Sequence, residues 1–257
     1  MEAMVKVWRE TYKITWDAAG ASGRLGLPQL AGFMQETAWH HAHLLGVGFE
    51  ANQQDNRAWV LMRMEIWTDN LPGWEQTLTL ETWPAGIEGF QALRNFRFFN
   101  SQGNEVGGAA TSWLIIDAES RRPRRPEAFE YLRKAVVPEF MPHFSAPEKI
   151  KLPESNFLRA GYRKVSFSDI DMHGHVNNSR YLTWCLDAFP TTWHLENRIT
   201  HLNINFLQEA LEAEEIEIYR ADTEKGKTFL YGLRQSDHKI IFTTLLDYLP
   251  INVANAG

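Results

Sequence analysis

Residues 27–45 carry apolar side chains at helical spacing, with Leu27, Leu30, Phe33, Met34, Ala38, His41 and Leu45 near one face. Pro28 suits the first turn, and Gly46 and Gly48 are stop signals. Four runs of strand character follow, at 58–67, 76–83, 89–99 and 108–116, with a turn at 100–103 between the last two. Residues 117–152 are rich in Pro, Arg and Glu and read as a surface connection, with a short helix expected over 127–134. The same order then returns: a strand at 161–167, a helix at 178–189, and strands at 199–207, 214–221, 228–236 and 239–248. One helix followed by several antiparallel strands, twice over, predicts an α+β fold with a helix wrapped by a sheet in each half.

The two halves also correspond residue by residue. Gly23-Arg24-Leu25 falls on Gly174-His175-Val176, an offset of 174 − 23 = 151, and the same offset lays Leu30, Phe33 and Glu36 on Tyr181, Trp184 and Asp187. Downstream, Ile66, Leu78 and Leu80 fall on Ile204, Ile216 and Ile218, an offset of 204 − 66 = 138. The register implies a duplicated unit. The duplication is lopsided in polar residues, because Asp171, His173 and His175 face Gly20, Ser22 and Arg24, and Glu209 faces Leu71. The chemistry is therefore expected in the second half, with the first as scaffold and pocket wall.

Composition narrows the classes. A net charge of −6 gives no global reason for binding nucleic acid or a membrane surface. No run of about 18 or more apolar residues exists, and the first residues lack the apolar core of a signal peptide, so a cytoplasmic location is expected. The single cysteine, Cys185, excludes an internal disulfide and lies in an apolar helical run, the setting of a buried thiol. Ten tryptophans and fifteen phenylalanines suggest broad sheet surface or a large apolar pocket.

The densest chemistry is at 168–181, SDIDMHGHVNNSRY. Asp171, His173 and His175 alternate, so an extended backbone points them to one side, where they can orient and activate a water. A solvated turn is the plainer reading of the same residues. Asn177 and Asn178 stand where a helix cap belongs, and a capped N-terminus leaves N–H groups near Val176 and Asn177 to polarise a carbonyl. Glu209 follows an apolar strand, and crowding by other carboxylates in an apolar cleft would make it a base. The spacing offers no convincing metal set, so neither metal nor cofactor is expected. Residues 121–125, with Arg121, Arg122, Arg124 and Arg125, form a basic patch on an acidic chain, either a solvated connection or a phosphate or acidic-partner site.

The motif resembles that of the acyl-acyl-carrier-protein thioesterases, D-x-D-x-N-x-H-x-N-N-x-x-Y, here running from Asp169 through Asp171, His173, His175, Asn177 and Asn178 to Tyr181. The strand ending in Gln208-Glu209-Ala210 stands where that family has R-E-C. Glu36, Ala38, His41, Gly46 and Gly48, then Trp83-Pro84 and Trp113 to Pro123, are similar to the family's first half. Two departures are plain: the motif asparagine is His173, and the cysteine is Ala210.

The resemblance implies a double hotdog fold, with an N-terminal unit at 1–120 holding the acyl pocket, a linker at 121–155, and a catalytic unit at 156–257. It implies hydrolysis of fatty acyl thioesters on an acidic acyl carrier protein to free fatty acid and carrier thiol, ending chain elongation. Asp171, His173, His175 and Glu209 become the catalytic set. Phe33, Met34, Trp39, Met62, Met64 and Trp83 become pocket walls, and the four arginines dock the carrier. An acyl-coenzyme-A thioesterase of the same fold and a non-catalytic acyl-binding protein are the alternatives. A tandem chain supplies both units, so either a monomer or a homodimer fits.

Overall fold

The computed structural model describes residues 6–48, 55–125, 144–223 and 226–251. The first half contains β1 (Trp8–Lys13), α1 (Trp16–Ala19), α2 (Leu27–Leu44), β2 (Arg57–Thr68), β3 (Thr77–Glu88), β4 (Gln91–Asn100), β5 (Glu105–Asp117) and β6 (Pro123–Arg124). The second contains β7 (Leu158–Lys164), α3 (Asn178–Leu186), α4 (Thr191–Glu196), β8 (Asn197–Phe206), β9 (Glu215–Thr223), β10 (Lys227–Arg234) and β11 (Lys239–Pro250). The helix expected at 127–134 lies outside the described residues. The strand read at 161–167 begins earlier and yields to a 3-10 turn at Phe167–Asp169, where Asp169 and Ser166 cap one another. Strand β1 went unread, although its residues alternate between half-buried and exposed as a period-2 strand requires.

Among the described residues all eleven strands join one antiparallel sheet, in the order β1-β3-β4-β5-β2-β8-β11-β10-β9-β7, with β6 on β5. Read inward from either edge, the two halves share one order: first strand, third, fourth, fifth, second. They meet where β2 pairs antiparallel with β8 from Arg63↔Asn205 to Trp67↔His201. The middle pair is Glu65↔Asn203, and 203 − 65 = 138, the offset read from the sequence. A duplicated chain paired with itself about a local two-fold axis has that property.

α2 lies against β1 and β3, α3 meets the second half's strands through Tyr181 on Phe206 and Phe242, and α2 packs on α3. Leu30, Met34, Leu78, Phe96 and Phe98 from the first half and Leu182, Trp184, Ile204 and Phe242 from the second fall in one continuous core. Burying a Leu- or Phe-sized side chain contributes about 1.5–3 kcal/mol, so the shared core holds the halves together.

The opposite face of the central seam is polar yet covered. Alternation along β8 puts Leu202, Ile204 and Phe206 in the core and sends Asn203 and Asn205 to the other face, where both are also buried. Residues 144–150 lie across them. The Asn205 Oδ1 accepts the Ile150 N–H at 2.8 Å, and its Nδ2 donates to the Glu148 carbonyl at 3.1 Å. Asn203 donates to the same carbonyl, and Arg63 donates to that of Pro147. At the strap's start Phe144 stacks on Trp67 with ring centroids 4.9 Å apart. The ring occupies the space where a Cβ on Gly108 would stand, 2.2 Å from the nearest ring carbon.

Candidate active site

The motif at 168–181 does not run extended. Between the bridge residues Ile170 and Val176 the chain makes a tight loop: the Asp171 N–H donates to the His175 carbonyl (2.9 Å), and the Gly174 N–H donates to that of Asp171 (3.0 Å). Gly174 has φ +78°, which a residue without a Cβ adopts readily. The Asp171 Oδ1 accepts the His173 N–H at 2.9 Å, closing an Asx turn. The loop, not strand alternation, gathers Asp171, His173 and His175 on one wall of a cavity of about 1040 Å³.

Glu209 reaches the same cavity from the segment after β8. Its Oε2 lies 3.3 Å from the His175 Nε2 and also forms an ion pair with Arg121 Nη2. The expected crowd of carboxylates is therefore absent from this carboxyl group: its described partners are the His175 imidazole and the Arg121 guanidinium. The nearby acid Glu214 is engaged by Arg234, which also donates to the Glu209 carbonyl.

Helix α3 starts beside them. Asn177 is its N-cap, with Oδ1 accepting the Ser179 N–H (2.9 Å) and hydroxyl (2.7 Å). The N–H groups expected to face a substrate carbonyl are otherwise engaged. Val176 N–H donates to the Ala210 carbonyl (3.0 Å), and Asn177 N–H to that of Asp169 (2.9 Å), because the loop is laced to its neighbours. The next donor, Asn178 N–H, opens the helix, and Asn178 lines the cavity. Tyr181, one turn on, accepts the Ala210 N–H (3.0 Å); burial and the carboxylates of Glu209 and Glu214 hold its hydroxyl well above the usual phenol range.

The cavity runs from this site into the first half, between α2 and the strands. Of the expected walls, Trp39 and Met62 line it. Phe33, Met34, Met64 and Trp83 do not. Phe33 stacks on Tyr12 at 4.3 Å, Met34 and Met64 are core residues, and Trp83 is fully buried beside the Arg97 guanidinium. The reason on β2 is a bulge between Leu61 and Arg63, which shifts the inward face from Leu61 to Met64 and leaves Met62 at the cavity. Trp59, Leu93 and Trp113 are walls that alternation did not reveal.

The basic run divides. Arg121 turns into the cavity at φ +58° to meet Glu209. Arg124 pairs with Asp117, whose carboxyl is held below the usual range by the Ser120 N–H and by Arg124. Arg125 lies 5.6 Å from the Phe90 ring centroid, and Arg122 is exposed. The four do not form one arginine face.

Two family models match the chain, the acyl-ACP thioesterase N-terminal domain over residues 5–129 and the acyl-ACP thioesterase C-terminal domain over residues 154–247. The chain belongs to the acyl-ACP thioesterase family. A palmitoyl-acyl carrier protein thioesterase of Gossypium hirsutum is 28% identical over 216 residues, covering 79% of this chain and 52% of its own length. A dodecanoyl-[acyl-carrier-protein] hydrolase of Cinnamomum camphora is 25% identical over 217 residues, covering 79% and 56%. Both relatives are named chloroplastic, and the chain spans about half the length of the curated relatives it matches. In fold, the chain is similar to an acyl-ACP thioesterase from Bacteroides thetaiotaomicron, with TM-score 0.86, 22% identity and coverage of 95% of this chain and 98% of that one. It is likewise similar to the 12:0-ACP thioesterase of Umbellularia californica, with TM-score 0.80, 15% identity and coverage of 98% and 100%. Among the described residues no helix is long and apolar enough to cross a membrane.

Proposed function

We propose that this chain hydrolyses a fatty acyl thioester borne by an acyl carrier protein, releasing free fatty acid and carrier thiol and so ending chain elongation. The observation that carries the reading is one cavity that joins Asp171, His173, His175 and Glu209 to the space between α2 and the first half's strands, walled there by Trp39, Trp59, Met62, Leu93 and Trp113. Family membership and the relatives' names support the reaction class. The repeated strand order supports a double hotdog, with units at 1–120 and 156–257 and the connection at 121–155 between them.

In this reading the acyl chain lies along Trp39 and Met62 and the thioester sits at the start of α3. The His175 Nε2 faces the Glu209 Oε2 at 3.3 Å; with its proton on that nitrogen, the ring keeps Nδ1 as the base that takes a proton from water. The hydroxide adds to the thioester carbon, its lone pair forming the new C–O bond while the C=O π pair moves onto the carbonyl oxygen, near Asn178 N–H at the positive end of the helix. The intermediate collapses with cleavage of the C–S bond, and the imidazolium returns its proton to the leaving thiolate. Asp171 fixes the loop that carries the histidines, and His173 stands on the cavity wall beside the thioester. Exposed Arg122 and Arg125 face solvent as docking groups for the acidic carrier.

The test is thiol release from acyl-carrier-protein and acyl-coenzyme-A thioesters of matched chains, with the full chain beside His175→Ala and Glu209→Ala. Each variant should lose about 10²-fold or more in kcat while keeping its fold. Folded wild type without turnover, or His175→Ala at wild-type rate, would sink the proposal. Preference for the coenzyme-A thioester would replace the carrier.

A further inference from the structure

The Glu209 carboxylate meets His175 and Arg121, but its backbone is held from elsewhere. Residues 207–214 lie between β8 and β9, outside the strands, so their backbone groups need other partners. The Glu209 carbonyl accepts from the Arg234 Nη1 at 3.2 Å. On the other side of the same peptide, the Ala210 N–H donates to the Tyr181 hydroxyl at 3.0 Å. Upstream, the Gln208 N–H donates to the Ile241 carbonyl at 3.1 Å. A planar peptide with both polar groups taken cannot turn freely, and its orientation constrains where the Glu209 side chain leaves the backbone.

The first half meets the same need differently. Its Leu25 N–H donates to the Pro72 carbonyl at 2.9 Å, as the Val176 N–H does to that of Ala210, and 210 − 72 = 138 while 176 − 25 = 151. The Leu71 carbonyl, counterpart of that of Glu209, is also taken by a guanidinium, but the donor is Arg24 Nη1 at 3.0 Å. Arg24 stands at the loop position that His175 fills in the second half. Pro72 has no N–H, and Leu30, where the second half has Tyr181, has no hydroxyl to receive one. In the second half the loop position carries an imidazole, and the guanidinium comes from the end of β10.

Arg234 is itself locked from behind. Asp237, in the turn between β10 and β11, accepts its Nε at Oδ1 (3.0 Å) and its Nη2 at Oδ2 (2.9 Å). These bonds hold the Asp237 carboxyl well below the usual carboxylate range, so the pair stays ionised at neutral pH. Nη2 also donates to the Gln208 Oε1 at 2.7 Å, and Nη1 to the Glu214 carboxylate at 3.2 Å. All five guanidinium N–H groups thus have acceptors, a fork that the single ammonium of lysine does not reproduce. Arg234 is not among the residues that line the cavity.

We infer that Arg234 is a positioning residue for the hydrolysis: oriented by Asp237, it fixes the Glu209–Ala210 peptide so that the glutamate reaches His175. The inference rests on the role given to Glu209 above. It couples an exposed hairpin turn to turnover without contact with substrate.

Arg234→Lys and Asp237→Asn test it, beside Glu209→Ala and the double variant that combines Glu209→Ala with Arg234→Lys. Folded proteins are compared by steady-state kinetics with acyl-carrier-protein thioesters and by amide hydrogen exchange at Ala210. Arg234→Lys should lower kcat about tenfold or more with KM little changed, Asp237→Asn should lower it in the same sense, and the Ala210 amide should exchange faster in both. Once Glu209 is replaced, Arg234→Lys should lower turnover no further, because its effect passes through the carboxylate. Losses that multiply in the double variant, an unchanged kcat, or unchanged Ala210 exchange in folded Arg234→Lys would each overturn the inference. Exchange reads the tether whether or not the chain turns over. Folded wild type that hydrolyses nothing would count against the proposed function, while faster Ala210 exchange in Arg234→Lys would still support the tether and unchanged exchange would remove it.

Discussion

Arg121, from the turn that follows β5 of the first half, forms an ion pair with Glu209, which follows β8 of the second, and the paired oxygen is the one that faces the His175 Nε2. The site thus draws on both sides of the β2–β8 seam. The segment that leaves β5, outside the acid and histidine cluster, supplies the cation that pairs with the glutamate.

Replacing Arg121 with Gln should therefore impair catalysis more than stability. Both partners are more than a third exposed, so the pair contributes no more than about 1 kcal/mol to folding. Freed from Arg121, the Glu209 carboxylate no longer holds His175 in one orientation, and kcat should fall about 10-fold or more with KM little changed. Steady-state kinetics beside a thermal melt checks this. A large drop in melting temperature with kcat intact would make the pair structural only.

The seam should weaken as pH rises. His201 on β8 is held by Glu65 of β2 at Nε2 (2.7 Å) and by Asp247 of β11 at Nδ1 (2.9 Å). Burial disfavours its charge, but hydrogen bonds to the two carboxylates outweigh that, and its pKa is raised. A group with a raised folded pKa contributes its stability in full below the unfolded value, about 6.5 for histidine, and loses it as pH climbs through the folded value. The urea midpoint of wild type should decline over that window, and His201→Gln should flatten the decline. Parallel profiles would remove His201 as the cause.

Gly108 should resist even a methyl group. An alanine Cβ would stand 2.2 Å from the Phe144 ring and 2.8 Å from the Phe96 carbonyl oxygen, so the strap must shift. Gly108→Ala should cost about 1–3 kcal/mol, read by denaturant unfolding, and should weaken the stacking of Phe144 on Trp67. Unchanged stability would show that the ring moves aside at no cost.

Cys185 should be inert in the native protein. It is fully buried on α3 beside the Thr244 hydroxyl, 3.2 Å away, and burial pushes its pKa up to about 12. Alkylating reagents should leave the thiol and the activity untouched at pH 8 and modify the cysteine only after unfolding. Rapid native labelling with loss of turnover would contradict the site described above.

What the sequence determined by itself is local and periodic. Helical spacing placed α2 from Leu27, alternation placed strands in both halves, and the offset of 138 returns at the Glu65↔Asn203 centre of a seam that the sequence did not itself indicate. The cluster of Asp171, His173 and His175 was legible because short-range composition is visible along a chain. What lay beyond it were relationships between distant residues. A single bulge at Met62 changes which β2 residues meet the cavity, and periodicity cannot register one extra residue. Arg121 read as part of a basic run because its partner is 88 residues away. Val176 and Asn177 N–H groups read as open because the carbonyls that take them, on Ala210 and Asp169, are brought near only by the fold. Arg94 on β4 gave no signal at all: an arginine on a strand reads as solvated, and only the fold brings it beside His41 of α2 and Thr82 of β3. Sequence fixes which groups a chain carries and their local period, while tertiary packing decides which of them meet, and in what dielectric.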